Sequence, residues 1–153
     1  MSNRKLIEKF YDSFAAGDAE GMISVYSDDI HFRDPAFGDL FGNDVKDMWR
    51  MLLKNSNGDL KISYSDVHAN EKNGSAKWIA TYTFSKTGRQ VVNKITANFE
   101  FSDGKISSHN DHFDLWKWSR QALGLSGYLL GWSPFMKNKI NTQAKALLRR
   151  NTV

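Results

Sequence analysis

The chain has 153 residues, no cysteine and a formal net charge of +4. This length suits a single domain, and a hydrophobic content of 41% is enough for a core. Without cysteine the chain can form no disulfide, zinc–thiolate site or thiol nucleophile. The first residues lack an apolar signal core and no run of about 18 apolar residues occurs, so we expect a soluble cytoplasmic protein.

Two helices are predicted at the start of the chain. One helical stripe between residues 3 and 16 carries the apolar side chains of Leu6, Ile7, Phe10 and Phe14. Gly17 ends this helix, and Asp18 is expected to cap a second one. That second helix is predicted to include Tyr26 on its buried side and to close at Asp28 and Asp29.

A short strand, a loop and a third helix are predicted next. Residues 30–33 alternate in the manner of a strand, which stops before Pro35 because proline cannot continue a ladder. Gly38 and Gly42 bracket a predicted loop. Asn43 or Asp44 is then expected to cap a helix whose apolar face carries Val45, Met48, Trp49, Leu52 and Leu53.

The middle of the chain is predicted to be a meander of strands. Residues 60–69, 77–84 and 91–101 alternate between apolar and polar side chains. Predicted hairpin turns fall at Asn73–Gly74, Thr87–Gly88 and Asp103–Gly104. Helices followed by long strands predict an α+β domain with its helices on one side of a bent sheet.

The last predicted strand carries an unusual polar pair. Alternation puts His109, Asp111 and Phe113 on one face, and Asn110 and His112 on the other. Sheet faces that pack on helices are normally apolar, so the pair indicates a proton-transfer site. The alternative is a satisfied polar patch or a solvent-facing rim. Two ligands on one face are fewer than the three of catalytic zinc, so no metal site is predicted.

The C-terminal part of the chain is basic. From Leu115 onward it carries seven Lys and Arg residues and no acidic residue. A glycine-rich apolar stretch precedes Ser133–Pro134, which is predicted to open a final helix. We expect a solvated helix face there; membrane-surface contact through Leu129, Leu130, Trp132 and Phe135 is a less favoured alternative. The apolar stretch is also a candidate pocket lid or dimer contact. No nucleic-acid partner is predicted, because no recognised binding module accompanies the charge.

Three segments resemble the nuclear transport factor 2-like superfamily, and within it the SnoaL-like and ketosteroid-isomerase-like branch. They are the Ala16-Gly17-Asp18 turn, the run from Tyr26 to Pro35, and the closing strand that leads into Asp114. The resemblance covers about residues 3–118. It implies a cone-shaped α+β fold, in which a strongly curved mixed or antiparallel sheet wraps on three N-terminal helices around one apolar pocket.

The resemblance also implies a domain organisation. We expect a SnoaL-like domain over residues 1–118. An apolar loop and a basic helix over residues 119–153 are expected to pack on the same domain. Families of this kind commonly form homodimers through the outer face of the sheet, and we expect the same here.

The resemblance places the general-base aspartate of the isomerase at Asp34. An Asx-turn carboxylate before Pro35 is the structural alternative. The isomerase's oxyanion tyrosine falls on Phe10, with Tyr11 one residue off that face, and its protonated aspartic acid falls on about Ala97. Because both donors are missing at those positions, standard ketosteroid isomerase chemistry is not expected.

We therefore expect an enzyme that transfers protons on a small hydrophobic molecule. Asp34 would be the base, His109 the acid or shuttle, and Asp111 the group that orients the imidazole. No cofactor is implied, and isomerisation, cyclisation, dehydration and epoxide hydrolysis all fit. The alternative is a non-catalytic module that binds a hydrophobic ligand or serves as a dimeric interaction domain. The predicted pocket wall consists of Phe10, Phe14, Trp49, Trp78, Tyr82, Phe84, Ala97, Phe99 and Phe113.

Overall fold

The computed structural model describes residues 1–84, 86–124, 141–142 and 144–149. Four helices and six strands are assigned over residues 3–123 of that part. In chain order they are α1 (Asn3–Ala15), α2 (Ala19–Ile23), β1 (Tyr26–Asp34), β2 (Gly38–Phe41), α3 (Asn43–Ser56), β3 (Lys61–Ala69), β4 (Asn73–Phe84), β5 (Arg89–Ser102), β6 (Lys105–His112) and α4 (Leu115–Leu123).

The six strands form one open mixed sheet in the order β2-β1-β6-β5-β4-β3. β1 and β6 run parallel, and every other neighbouring pair is antiparallel. Helices α1 and α3 bury their apolar stripes in the same core as the inner faces of the strands. The predicted α+β class with a curved sheet and N-terminal helices is thus confirmed.

The boundary between α2 and β1 differs from the prediction. Asp18 caps α2 as expected, since its carboxylate accepts from the backbone N–H of Gly21 at 3.0 Å. The helix ends at Ile23, however, and the strand already begins at Tyr26. The backbone N–H of Ile106 donates to the carbonyl of Val25 at 2.8 Å, so pairing with β6 overrides a longer helix here.

The segment between Gly38 and Gly42, predicted as a loop, is strand β2. It pairs with β1 in a tight hairpin whose register joins Asp34 to Gly38. Leu40 is buried, which gives this short strand a core contact. The cap of α3 is Gly42, at φ 57°, without a side-chain hydrogen bond; the expected caps Asn43 and Asp44 already lie inside the helix.

The predicted Asn73–Gly74 turn is also displaced. Both residues belong to β4, and the turn is closed by Asn70, whose side-chain oxygen accepts from the backbone N–H groups of Lys72 and Asn73. A Cβ at position 74 would lie 2.8 Å from Ile7 Cδ1. The glycine therefore allows α1 to approach the sheet closely.

The C-terminal residues that the structure describes are helical and lie against the β1–β2 hairpin. Asn141 Nδ2 donates to the carbonyl of Ala36 at 2.7 Å, and Leu148 is buried in the core. α4 runs past residue 118 to Leu123. The predicted helix start at Ser133–Pro134 lies outside the described residues, as do the candidate membrane contacts Leu129, Leu130, Trp132 and Phe135. In the described part of the chain, no helix has the length and apolar character to cross a bilayer.

Candidate functional site

β6 lies in the middle of the sheet and turns His109 and Asp111 toward the helices. The exposed fraction is 0% for His109 and 3% for Asp111, whereas His112 is exposed, so the predicted alternation is present. β1 and β5 flank the imidazole, since both Phe32 and Phe99 are register partners of His109. A polar pair this deep in a core is stable only if its hydrogen-bonding groups find protein partners.

Five side chains form a buried hydrogen-bond chain. Trp49 Nε1 donates to the Tyr26 hydroxyl at 3.0 Å, and that hydroxyl lies 2.7 Å from His109 Nδ1. On the other side of the ring, His109 Nε2 lies 2.9 Å from Asp111 Oδ1. The same carboxylate oxygen accepts from Trp78 Nε1 at 3.2 Å. The chain therefore joins α3, β1, β6 and β4, and it occupies both ring nitrogens of the histidine.

Aromatic rings enclose the imidazole on its remaining sides. The Phe99 ring centroid is 4.5 Å from that of His109, and the edges of Phe10 and Phe32 approach at 5.2 Å. With no exposed surface and no free nitrogen, His109 contacts protein groups on every side. The imidazole is therefore held between Tyr26 on one side and Asp111 on the other.

Asp34 sits at the end of β1, beside Asp111. The parallel register pairs Arg33 with Asn110, so the next residues along the two strands are the two aspartates. Asp34 Oδ1 accepts from the backbone N–H of Phe37 at 2.6 Å, and the backbone N–H of Ala36, two residues on as in an Asx turn, also bonds the carboxyl group. Burial raises the pKa of Asp34 to about 7. The hydrogen bond from the Phe37 N–H lowers this pKa, and the charge of Asp111 raises it further.

Tyr11 is a further polar group in the same interior. It is 0% exposed, and its hydroxyl has no hydrogen-bond partner among the described residues. Burial, and secondly the charge of Asp111, raises the pKa of Tyr11 well above its ordinary value. The sequence prediction placed this residue off the buried face of α1, whereas the helix buries Tyr11 together with Phe10.

The residues predicted to line a pocket fall into two groups. Six are buried between the helices and the sheet, namely Ala97 and an aromatic layer of Phe10, Phe14, Trp49, Trp78 and Phe99. Three are half-buried: Tyr82, Phe84 and Phe113. Trp118 of α4 covers Tyr82 and Phe84, since its Nε1 donates to the Tyr82 hydroxyl at 2.6 Å and its ring packs against that of Phe84.

A polar groove of about 570 Å³ lies between the start of β1 and the β5–β6 turn, and Tyr26 is among its lining residues. Its lining includes Asp28, Asp29, Asp103 and Lys105. This character differs from that of the predicted apolar pocket. Across the described ranges, no three His, Cys, Asp or Glu side chains come together closely enough to hold a metal ion.

Sequence reasoning missed the donors that hold the site together. The sequence pattern predicts Tyr26 in a helix, and it predicts Trp49 and Trp78 only as residues of the pocket wall or core. Period-two burial of Ile30 and Phe32, extended backward, indicates a strand face that includes Tyr26. No sequence signal marks which indole N–H groups reach a partner.

Comparison with known families and structures gives consistent matches. The family profile of the SnoaL-like domain matches residues 7–109. A proposed polyketide cyclase from Xanthomonas campestris superposes with a TM-score of 0.63 at 20% identity, over 78% of this chain and 98% of the other. The proposed hydroxylase AclR from Streptomyces galilaeus gives 0.64 at 22% identity, over 85% and 98%.

A third structure, TerC co-crystallised with polyporic acid, gives a TM-score of 0.61 at 17% identity, over 72% of this chain and 89% of the other. At these identities the structural matches establish the fold alone. A comparison with curated protein sequences finds no significant match.

Proposed function

Because the chain belongs to the SnoaL-like family, we propose that it is a small-molecule enzyme that moves protons on a hydrophobic substrate, with Asp34 and Asp111 as the acid–base pair. His109 orients Asp111 from behind. This division of roles differs from the sequence-based prediction, in which His109 is the acid or proton shuttle and Asp34 is the base. The proposal moves the chemistry to the two carboxyl groups because the imidazole has no surface for a ligand.

The observation that carries the proposal is the contrast between the two aspartates. Asp111 Oδ1 accepts from Trp78 Nε1 and lies 2.9 Å from His109 Nε2, and no described donor reaches its other oxygen. The pKa of Asp34 is raised to about 7 by burial, so this carboxyl holds a proton about half of the time at neutral pH. Two neighbouring carboxyls in different environments can serve as base and acid in one reaction.

The proposed step transfers one proton in each direction. The second oxygen of Asp111 takes a proton from an acidic carbon that is next to a carbonyl or conjugated with it through an aromatic ring, and the bonding electrons move to the carbonyl oxygen. Protonated Asp34 then gives its proton to the resulting enolate.

Two observations support a proposal for the substrate class: the aromatic side chain near the carboxyl groups and the chemistry of the matched structures. The half-buried Phe113 follows Asp111 by two residues and offers aromatic surface on that side of the site. The matched structures include a proposed polyketide cyclase and a protein crystallised with polyporic acid. We propose an aromatic ketone of polyketide type as the substrate.

Anthrone, a tricyclic aromatic ketone with an acidic methylene group, makes the proposal testable. Deuterium uptake by anthrone in heavy water, followed by mass spectrometry, should be faster with the protein than in buffer. Asp111→Asn should remove the acceleration, because an amide cannot take the proton. Asp28→Asn, which changes an exposed aspartate in the polar groove, is the matched control and should leave it unchanged.

One observation favours the rival function, a non-catalytic hydrophobic-ligand or interaction module. The aromatic layer that includes Phe10, Trp49 and Trp78 is closely packed, so part of the predicted pocket wall is core. Quenching of tryptophan fluorescence by anthrone or polyporic acid reports binding separately from exchange. Binding without any acceleration of deuterium uptake would support the rival and contradict the enzyme.

A further inference from the structure

Tyr26 contacts the functional histidine at the nitrogen that faces away from Asp111. Its hydroxyl lies 2.7 Å from His109 Nδ1, and the exposed fraction of Tyr26 is 4%. The pairing of β1 with β6 is irregular here: β1 advances from Tyr26 to His31 while β6 advances only from Ile106 to Ser108. Such a bulge re-aims side chains locally, and here it brings the phenol against the imidazole.

The donors around Tyr26 fix the direction of its hydrogen bonds. An indole N–H can only donate, so the Tyr26 oxygen accepts from Trp49. The hydroxyl proton of Tyr26 is then free to point at His109 Nδ1, and it finds an acceptor there only if Nδ1 is the unprotonated nitrogen. The ring proton consequently sits on Nε2 and points at Asp111 Oδ1, 2.9 Å away.

The opposite tautomer is disfavoured at both ends of the ring. It would place the Nε2 lone pair against the carboxylate of Asp111. It would also direct two N–H groups, of Trp49 and His109, at the Tyr26 oxygen and leave the hydroxyl proton without its present acceptor. In an interior that excludes water, such mismatches are not compensated by solvent.

We infer that Tyr26 is a positioning residue, which holds His109 in the Nε2–H tautomer so that the imidazole donates to Asp111 and fixes the carboxylate for proton transfer. The link from tautomer to catalysis rests on the proposed function. The tautomer itself does not, because it follows from the donor and acceptor groups alone. This assigns to Tyr26 and Trp49 a role beyond packing.

Nitrogen-15 NMR of the histidine rings tests the inference directly, with His109→Gln used to assign the signals. In the wild-type protein we expect His109 Nε2 to be protonated and Nδ1 unprotonated. In Tyr26→Phe the donor to Nδ1 is lost, and the signals should shift toward the other tautomer or the doubly protonated ring. Tyr64→Phe is the matched control, because it removes a hydroxyl that donates to Asp12 on the exposed side of α1.

The catalytic consequence is measured on the same variants. Tyr26→Phe should slow anthrone deuterium uptake about tenfold, the equivalent of one hydrogen bond, while fluorescence shows unchanged anthrone binding. Tyr64→Phe should change neither quantity. A purely structural role for Tyr26 would alter binding and exchange together and leave the nitrogen-15 pattern of the folded protein as it is.

The outcomes separate the inference from the proposed function. A wild-type His109 protonated on Nδ1, or a Tyr26→Phe pattern identical to that of wild type, overturns the inference even if exchange is catalysed. The expected nitrogen-15 pattern without exchange by the wild type supports the tautomer assignment and contradicts the proposed function. If Tyr26→Phe does not fold, the wild-type pattern and the Trp49→Phe variant still decide the question.

Discussion

The molecule contains two His–Asp pairs of nearly identical geometry in opposite surroundings. His31 Nε2 and Asp39 Oδ1 are 2.8 Å apart on the β1–β2 hairpin, with side chains that are 41% and 45% exposed. His109 Nε2 and Asp111 Oδ1 are 2.9 Å apart, with side chains that are 0% and 3% exposed. The distance is the same, so any difference in behaviour comes from solvent and from the neighbouring groups.

The exposed pair is one contact in a solvated cluster. The His31 hydrogen bond, with a smaller contribution from Arg33, lowers the pKa of Asp39, and water screens both interactions. The side chains of the buried pair are 0% and 3% exposed, so solvent compensates poorly for a lost partner. The buried pair is therefore held in one orientation by its protein neighbours, whereas the exposed pair is a weak surface contact.

The largest expected effect comes from removing the two imidazoles in turn. His109→Ala should lower the free energy of unfolding by about 3–5 kcal/mol, because it leaves a cavity and an unpaired buried carboxylate. His31→Ala should cost less than about 1 kcal/mol, the usual value of an exposed pair. Urea denaturation of both variants checks the contrast, and equal losses would show that burial does not distinguish the pairs.

The second effect is a pH dependence of stability due to Asp34. Its pKa is about 7 in the folded protein and about 3.9 in the unfolded chain. Between these values the folded state holds a proton that the unfolded state has released. The stability that Asp34 contributes therefore falls as the pH rises from about 4 to about 7.

Asp34→Asn should remove this dependence while keeping the turn, since the amide oxygen can still accept from Phe37. Near about pH 4 the variant and the wild type should have the same free energy of unfolding. Near about pH 8 that of the variant should be higher by about 2 kcal/mol. This is half of the value that the full pKa shift gives, because the carboxyl group retains some contact with solvent. Denaturation curves across this range check the prediction. A parallel pH dependence in both proteins would contradict the raised pKa.

The third effect concerns the interior hydroxyl without a partner. Tyr11→Phe should raise the unfolding free energy by about 1 kcal/mol, because it removes the desolvation cost of an unbonded hydroxyl. A less stable variant would mean that the hydroxyl already has a partner in the folded protein.

The smallest effect is the salt response of the two pairs. About 1 M NaCl should abolish the coupling energy between His31 and Asp39 in a double-mutant cycle, because ions screen exposed charges. The coupling between His109 and Asp111 should stay the same. Loss of both couplings in salt would show that solvent ions reach the interior pair.

Much of the fold was predictable because burial is periodic along the sequence. The alternation of His109 and Asp111 with exposed neighbours, the Asp18 cap and the turns at Thr87–Gly88 and Asp103–Gly104 follow from local rules. Strand β2 and the early start of β1 did not, because they depend on pairing partners distant in sequence.

The candidate site was predictable only in part. A sequence can place His109 and Asp111 on one face, but the identity of their hydrogen-bond partners depends on how β1, β4 and α3 converge in space. The roles of Tyr26, Trp49 and Trp78 therefore required the structure.

The central claim is that Asp34 and Asp111 face one another in a single proton-transfer site, and carbon-13 NMR titration of the aspartate carboxyls tests it without a substrate. Asp34 should titrate with a midpoint of about 7 in the wild type, and Asp111→Asn should lower that midpoint by removing a neighbouring charge. A midpoint in the ordinary range of aspartate, or one that Asp111→Asn leaves in place, would contradict the shared site.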